Sequence, residues 1–138
     1  MVHLGDTRMI KDQVIDEKIY YVNRALLKRY ADASGDQNPI HQDEAFAKSV
    51  GLPDVIAHGM LTMALVGKYV SDLAGGSANV LELGGRFTKP VIVPAGHNVD
   101  LTVSATVTEV EGGKVSLSLS ATSAGVKVLG MAKAVIAL

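Results

Sequence analysis

The segment "HGMLTMALVGKYVSDLAGG", residues His58–Gly76, decides the fold that the rest of the sequence predicts. Its apolar side chains cover most of a helical circumference, and the glycine pair Gly75–Gly76 ends the pattern. A helix that is apolar on most sides is normally buried, and this one is shorter than the ~18 residues that span a bilayer. We therefore predict a buried central helix from His58 to about Leu73. Its apolar residues are Met60, Leu61, Met63, Leu65, Val66, Tyr69, Val70 and Leu73.

After this helix the hydrophobic period changes from helical to alternating. Val99–Val107 and Lys114–Thr122 each alternate apolar side chains with serine, threonine or aspartate. Strict alternation predicts antiparallel strands with one face packed on a core and the other in water. Glycines in Glu111–Lys114 and Ser123–Gly125 predict hairpin turns between the strands.

Three further segments predict strands of the same sheet. Glu17–Val22 is a candidate first strand, and Val126–Leu138 closes the chain as a long last strand. Glu82–Val93 contains another strand, which we expect to be broken or bulged around Gly84–Gly85 and Pro90. One buried helix and about five one-faced strands predict an α+β fold, in which the sheet curls around the helix as a single domain over residues 1–138.

Two shorter helices are predicted before the central one. In the first, Asn23 is a plausible N-cap and Gly35 a stop signal, and Leu26, Leu27 and Tyr30 share one face. The second runs from about Asp43 to Val50, with acidic residues in its first turn.

Composition excludes several classes of function. With 138 residues, 48% of them hydrophobic, the chain can form a core of its own. It has no cysteine, so a disulfide framework, a thiolate metal site and a cysteine nucleophile are excluded. The net charge of −1 and the absence of basic runs do not fit a nucleic-acid-binding protein. Because neither a secretory signal nor a membrane span is recognisable, we expect a cytoplasmic protein.

The stretch "ASGDQNPIHQDEAF", Ala33–Phe46, carries an acid and an imidazole in one turn. Asp36 and His41 lie five positions apart, and Pro39 disfavours helix at the residue before it. Such a bend can direct both side chains into one pocket, where an imidazole with a pKa of ~6.5 is suited to proton transfer. The alternative is structural: Asp36 is a common turn residue, and His41 merely caps the next helix.

A second candidate feature is "AHGM", Ala57–Met60, at the start of the central helix. The first N–H groups of a helix lack internal partners, and the helix dipole favours negative charge there. Gly59 lets a ligand approach the backbone, so its N–H is a candidate oxyanion donor. Otherwise, Gly59 is a packing contact or a relaxed cap. His58 is expected either to line the pocket or to cap the helix.

"YADASGDQNPIH", Tyr30–His41, followed by "AHGM" closely resembles the signature of the MaoC-like, (R)-specific enoyl-thioester hydratases, also called hydratase 2. The chain is also similar to the B subunit of actinobacterial (3R)-hydroxyacyl-ACP dehydratases. The resemblance extends from Leu4–Asp6 through Arg86–Gly96 and implies the hot-dog fold, a curved antiparallel sheet around one long helix. One departure is His97, at a position where relatives often carry an acid.

The resemblance implies a role for each matching residue. Asp36 and His41 match the catalytic pair, Asn38 matches a residue that braces the turn, and Gly59 matches the backbone donor to the thioester carbonyl. The implied activity interconverts trans-2-enoyl and (3R)-3-hydroxyacyl thioesters, on CoA or acyl carrier protein, and requires no cofactor or metal. It also implies at least a dimer, with a homodimer expected and a heterodimer or a higher oligomer as the alternatives. The apolar segment Leu81–Gly85 is suited to pairing with another subunit.

Four alternatives stay open. Ser71, on the polar side of the central helix, either orients the histidine and contacts substrate or is merely solvated. A hot-dog thioesterase usually places its acid on the central helix, where only Asp72 is available. Asp36, His41 and His58 are two histidines and one carboxylate, a possible metal set. Finally, the chain could be a non-catalytic subunit that only holds the acyl group.

Overall fold

The structure is a computed structural model that describes residues 9–138, so Leu4–Asp6 lies outside the described residues. Within that range, three α-helices and six strands follow one another in a mixed order. The helices are α1 (Arg24–Ser34), α2 (Glu44–Ser49) and α3 (Gly59–Ala74). The strands are β1 (Val14–Val22), β2 (Val80–Phe87), β3 (Val99–Glu111), β4 (Lys114–Ser123), β5 (Val126–Lys127) and β6 (Leu129–Ala137).

The strands form one antiparallel sheet in the order β1-β3-β4-β6-β2, with β5 paired to β4. The sheet is therefore bounded by β1 on one side and β2 on the other. The alternation predicted for β3 and β4 is confirmed. The buried apolar residues are Leu101, Val103, Ala105 and Val107 of β3 and Val115, Leu117, Leu119 and Ala121 of β4. They pack with Val66 and Val70 of α3 in one hydrophobic core.

Both predicted turns between strands are confirmed. Gly112 and Gly113 connect β3 to β4 with φ values of 60° and 76°, a left-handed conformation that glycine adopts without strain. Ala124 and Gly125 connect β4 to β5, also with positive φ values, of 50° and 75°.

The irregularity predicted in the strand after α3 is also present. The register between β2 and β6 shifts between Gly84 and Arg86, which marks a bulge. A Cβ on Gly85 would lie 3.3 Å from the Cα of Ala132, so glycine allows the two backbones to approach closely. The strand ends at Phe87, and Val91 and Val93 instead bond to Ala57 and Val55, just before α3.

The helix boundaries follow the predicted capping residues. The Asn23 side chain accepts a hydrogen bond from the N–H of Leu26 at the start of α1, and Gly35 ends this helix with a φ of 83°. Asp43 caps α2 in the same way. Gly75 ends α3 in a left-handed conformation.

The prediction that α3 is buried on most sides is wrong for the single chain. One face, which includes Leu61, Val66 and Val70, is buried against the sheet, but Met60 is 60% exposed. The reason is that one sheet covers only one side of the helix. No helix in residues 9–138 is long and apolar enough to cross a membrane.

Candidate active site

The turn after α1 is built by short-range hydrogen bonds to two side chains. The Asp36 carboxylate accepts from the N–H of Asn38 at 3.1 Å, and the Asn38 side chain accepts from the N–H of Ile40 at 3.2 Å. Pro39 then opens a single 3₁₀ turn that ends at His41. Asn38 therefore lies where the resemblance implies a brace, and the turn delivers Asp36 and His41 to the same side.

His41 is buried and is oriented by the backbone. Its Nδ1 lies 2.7 Å from the carbonyl oxygen of Ile56, and because that oxygen only accepts, Nδ1 carries the proton. In the neutral ring, Nε2 is then left with its lone pair, as a general base requires. Since Asp43 caps α2, the interpretation of His41 as a helix cap is wrong.

His58 forms a second buried imidazole beside the first. Its ring stacks on that of His41, with centroids 3.8 Å apart and planes inclined by 24°. The centroid of the Tyr30 ring lies 4.7 Å from that of His58, in a tilted arrangement. Its Nε2 donates to the backbone carbonyl of Asp36 at 3.2 Å. His58 occupies the N-cap position of α3, but its side chain forms no capping hydrogen bond. It does not line the cavity beside His41 either.

Burial lowers the pKa of the His58 imidazole, and the neighbouring His41 lowers that pKa too. The hydrogen bond to the Asp36 carbonyl and the Asp36 charge act in the opposite direction but do not reverse the shift. His58 is consequently neutral at pH 7. It therefore packs against His41 without placing a positive charge beside it.

Asp36, His41 and His58 bring three possible ligand atoms within 4.8 Å of one another. Their geometry nevertheless disfavours a shared metal ion. A metal binds in the plane of an imidazole at about 2.0–2.1 Å from nitrogen, whereas two nearly parallel rings 3.8 Å apart direct their lone pairs along separate planes. The arrangement fits a hydrogen-bonded acid–imidazole pair better than a metal centre.

A cavity of about 320 Å³ opens between His41 and the start of α3. Gly59 lies in its wall, and the N–H of Gly59 has no acceptor within residues 9–138. The dipole of the 16-residue helix adds positive potential at this point. Asp36 is exposed and lies beside the cavity rather than in its wall. The wall consists of His41, Ile56, Ala57, Gly59, Thr62, Phe87, Thr88, Lys89, Pro90, Val91 and Val128.

A larger cavity, about 670 Å³, lies on another part of the surface and is lined by Glu82, Glu109, Glu111 and Lys114 among others. It contains no histidine and no helix start. The smaller cavity is therefore the candidate active site, because it combines a base with an anion-binding backbone group.

Arg24, which does not line the cavity, connects the segments next to it. Its Nε donates to the carbonyl of Val93 at 2.6 Å, and its Nη2 donates to the Asp54 carboxylate at 2.8 Å. These bonds join α1 to the two segments that pair immediately before α3. The entry of α3, and hence Gly59, is positioned by this network.

The structure does not bring every predicted residue to the site. Ser71 lies 12 positions beyond Gly59, roughly 18 Å along the helix, and lines a surface depression with Lys68 and Asp72. Of the eleven wall residues, only His41 and Gly59 were predicted site residues, and the nine others include Thr62 and Phe87. The sequence carries one signal for Thr62, its position one helical turn after Gly59 on the same face, but it does not show that this face meets the cavity.

Comparison with known proteins identifies related sequences. Residues 6–125 match the family described as MaoC like domain. The chain is 38% identical over 92 residues to 3-hydroxyacyl-thioester dehydratase X of Mycobacterium tuberculosis, which covers 67% of this chain and 30% of that protein. It is 46% identical over 61 residues to dehydratase Y of the same organism, covering 42% of this chain. The chain thus spans less than a third of either curated relative.

Solved structures share the architecture. A MaoC-like dehydratase superposes with a TM-score of 0.91 at 31% identity, over 99% of this chain and 42% of that one. An unliganded R-hydratase from Pseudomonas aeruginosa gives 0.79 at 29% identity, over 94% of this chain and 82% of that one. The hot-dog fold that the sequence resemblance implies is therefore confirmed.

Proposed function

Because this chain belongs to the MaoC-like domain family, we propose that it is a hydro-lyase for acyl thioesters. Its reaction interconverts trans-2-enoyl and (3R)-3-hydroxyacyl thioesters carried on CoA or on an acyl carrier protein. The observation that carries the proposal is the orientation of His41. Its Nδ1 bonds to the Ile56 carbonyl, which leaves Nε2 available, and a ring nitrogen of His41 lies within 4.8 Å of a carboxylate oxygen of Asp36.

In the proposed reaction, Asp36 and His41 hold one water molecule between them. The pair removes a proton from this water as its oxygen bonds to C3, and the electrons of the C2–C3 double bond move toward the thioester. The resulting enolate oxygen receives a hydrogen bond from the N–H of Gly59. The pair then supplies a proton to C2, so that one water is consumed and no cofactor takes part. Dehydration follows the same path in reverse.

Three observations favour this function over the alternatives. A thioesterase acid is not available at the cavity, because the first turn of α3 has no acidic residue and Asp72 lies near the other end. The stacked histidines disfavour a metal hydrolase. A purely acyl-holding subunit has no need of a buried imidazole with one free nitrogen.

The stereochemistry of hydration tests the proposal most directly. If one water is held on a single face of the enoyl thioester, hydroxyl and proton arrive on that face. With crotonyl-CoA in deuterated water, we expect loss of the enoyl absorbance and a (3R)-hydroxy product whose C2 deuteron lies syn to the hydroxyl. Chiral chromatography and NMR of the product measure both features.

The same assay separates the competing functions. Free crotonate plus CoA as the only products would establish a thioesterase, and a 3S product would contradict the (R)-specific assignment. Assays after exhaustive chelation serve as the control, because a metal-dependent reaction would stop whereas the proposed one continues.

We also propose that the protein works as a dimer joined at the β2 edge, with each cavity completed by the neighbouring subunit. Leu81 is 47% exposed on this edge strand, and Met60 is exposed on α3. Uncovered strand edges and apolar helix faces favour pairing with a second chain.

Light scattering is expected to give a dimer for the purified protein, and Leu81→Glu should shift it to monomer because a charge would be buried in the interface. Val14→Glu on the opposite edge strand is the matched control and should leave the dimer intact. A fully active monomer would contradict the proposal, and a protein active only with a second, different chain would indicate a heterodimer.

A further inference from the structure

Thr62 occupies a distinctive position in the candidate active site. It lies three residues after Gly59 on α3, so the two residues share a helix face. Side chains on a helix lean toward its N-terminus, which brings the Thr62 side chain back over the first turn. Thr62 is only 5% exposed and lines the same cavity as His41 and Gly59.

The hydroxyl of Thr62 has no hydrogen-bond partner within residues 9–138. A helical threonine usually bonds to the carbonyl of the residue four positions earlier. Here that carbonyl belongs to His58, and it already accepts from the N–H groups of Leu61 at 3.1 Å and Thr62 at 3.2 Å. A carbonyl has two lone pairs, so the His58 carbonyl is already occupied, and the hydroxyl forms no bond to the Gly59 carbonyl three positions earlier either.

Within residues 9–138, no wall residue of the cavity forms a hydrogen bond with this hydroxyl. Val91 and Val128 are apolar, and the ring of Phe87 lies 3.1 Å from where a Cβ on Gly59 would be. The hydroxyl of Thr88 is already bonded to the carbonyl of Lys127 at 3.1 Å. The Thr62 oxygen is not among the fully enclosed side-chain atoms that lack a partner, so the unpaired hydroxyl is open to the cavity that the residue lines. A group that enters the cavity can therefore accept its hydrogen bond.

We propose that the Thr62 hydroxyl donates a hydrogen bond to the thioester carbonyl oxygen of the substrate, beside the N–H of Gly59. The proposal rests on the hydratase function proposed above. The two donors lie on one face of the first turn of α3 and meet the oxygen on which negative charge develops. Thr62 is thus a further catalytic residue, supplied by a side chain next to the backbone donor.

Two substitutions separate the hydroxyl from the shape of the side chain. Thr62→Val keeps the volume and removes the hydroxyl, whereas Thr62→Ser keeps the hydroxyl and removes the methyl group. We expect Thr62→Val to lower kcat/KM for crotonyl-CoA by about 10- to 100-fold, mainly through kcat. Thr62→Ser should stay within about 3-fold of the wild type, because its donor remains.

Thermal unfolding provides the readout of a structural role. Thr62→Val is expected to unfold near the wild-type temperature, because the hydroxyl that it removes forms no hydrogen bond within residues 9–138. The second readout is the infrared stretch of a ¹³C-labelled thioester carbonyl, bound to protein that carries His41→Asn to prevent turnover. Relative to the free thioester, this stretch should shift to lower frequency when residue 62 is threonine, and by a smaller amount when it is valine. If Thr62→Val does not fold, Thr62→Ala serves for both measurements.

Wild-type turnover and an unchanged carbonyl stretch in the valine variant would overturn the proposal. Equal losses in the valine and serine variants would overturn it too, since shape rather than the hydroxyl would then matter. Failure of the hydratase function is distinguishable, because the wild-type protein itself would then leave crotonyl-CoA unchanged.

Discussion

Replacement of His41 by asparagine is expected to lower kcat for hydration of an enoyl thioester by about 10²–10⁴-fold. The asparagine amide can replace Nδ1 as the donor to the Ile56 carbonyl, so the bond that orients this side chain is kept. It has no counterpart of the free Nε2 and therefore cannot exchange a proton near neutral pH. Initial rates with crotonyl-CoA, together with circular dichroism of the purified variant, measure the effect.

His97→Asn is the matched control for this substitution. His97 is exposed in the turn before β3 and does not line the cavity, so its replacement should leave kcat unchanged. Near wild-type turnover in a folded His41→Asn protein would remove His41 from the mechanism. His41→Ala should give a similar loss in kcat, with lower stability because the stacking on His58 is also removed.

Asp36→Asn is expected to produce a loss of the same order, about 10²–10⁴-fold in kcat. The substitution is close to isosteric, and the amide oxygen can still accept from the N–H of Asn38, so the turn persists. What disappears is the negative charge and the ability to accept a proton from water. Steady-state rates over a range of substrate concentrations show the loss in kcat rather than in KM alone.

The control for Asp36→Asn is Asp72→Asn, at the far end of α3. Asp72 forms a surface ion pair with Lys68, and such pairs contribute about 0–1 kcal/mol to stability. Hydration should be unaffected by its loss. Retained activity in Asp36→Asn together with inactivation by Asp72→Asn would contradict the dyad and support a thioesterase-like use of the helix acid.

Much of the fold could be predicted because local chemistry agrees with it. The alternation in β3 and β4 and the glycines between them specify a hairpin without knowledge of the rest of the chain. The start of β1 could not be read in the same way. Its register shifts between Ile15 and Lys18, and this bulge interrupts the alternation by which a strand is recognised.

The same limit applies to the site. Asp36, Asn38 and His41 are close in sequence, so the turn itself places them. The role of Thr62 depends on which face of α3 meets the cavity, and a helix apolar on most sides does not reveal its rotation. Ser71 was a candidate because the sequence did not show which polar residues of α3 face the cavity. The exposure of Met60 likewise depends on how much of α3 one sheet can cover.

His58 connects the proposed proton-transfer pair, Asp36 and His41, with the proposed carbonyl donor, Gly59. Its side chain packs on His41 and bonds to the Asp36 carbonyl, while its backbone leads directly into Gly59. The distance between the proton-transfer groups and the carbonyl donor is therefore fixed by a single rigid link. In the proposed reaction, this link sets how far the atom attacked by water lies from the thioester carbonyl oxygen. We therefore expect an isomer with its double bond one carbon further along to react poorly, and we trace this regioselectivity to the residue on which the catalytic imidazole stacks.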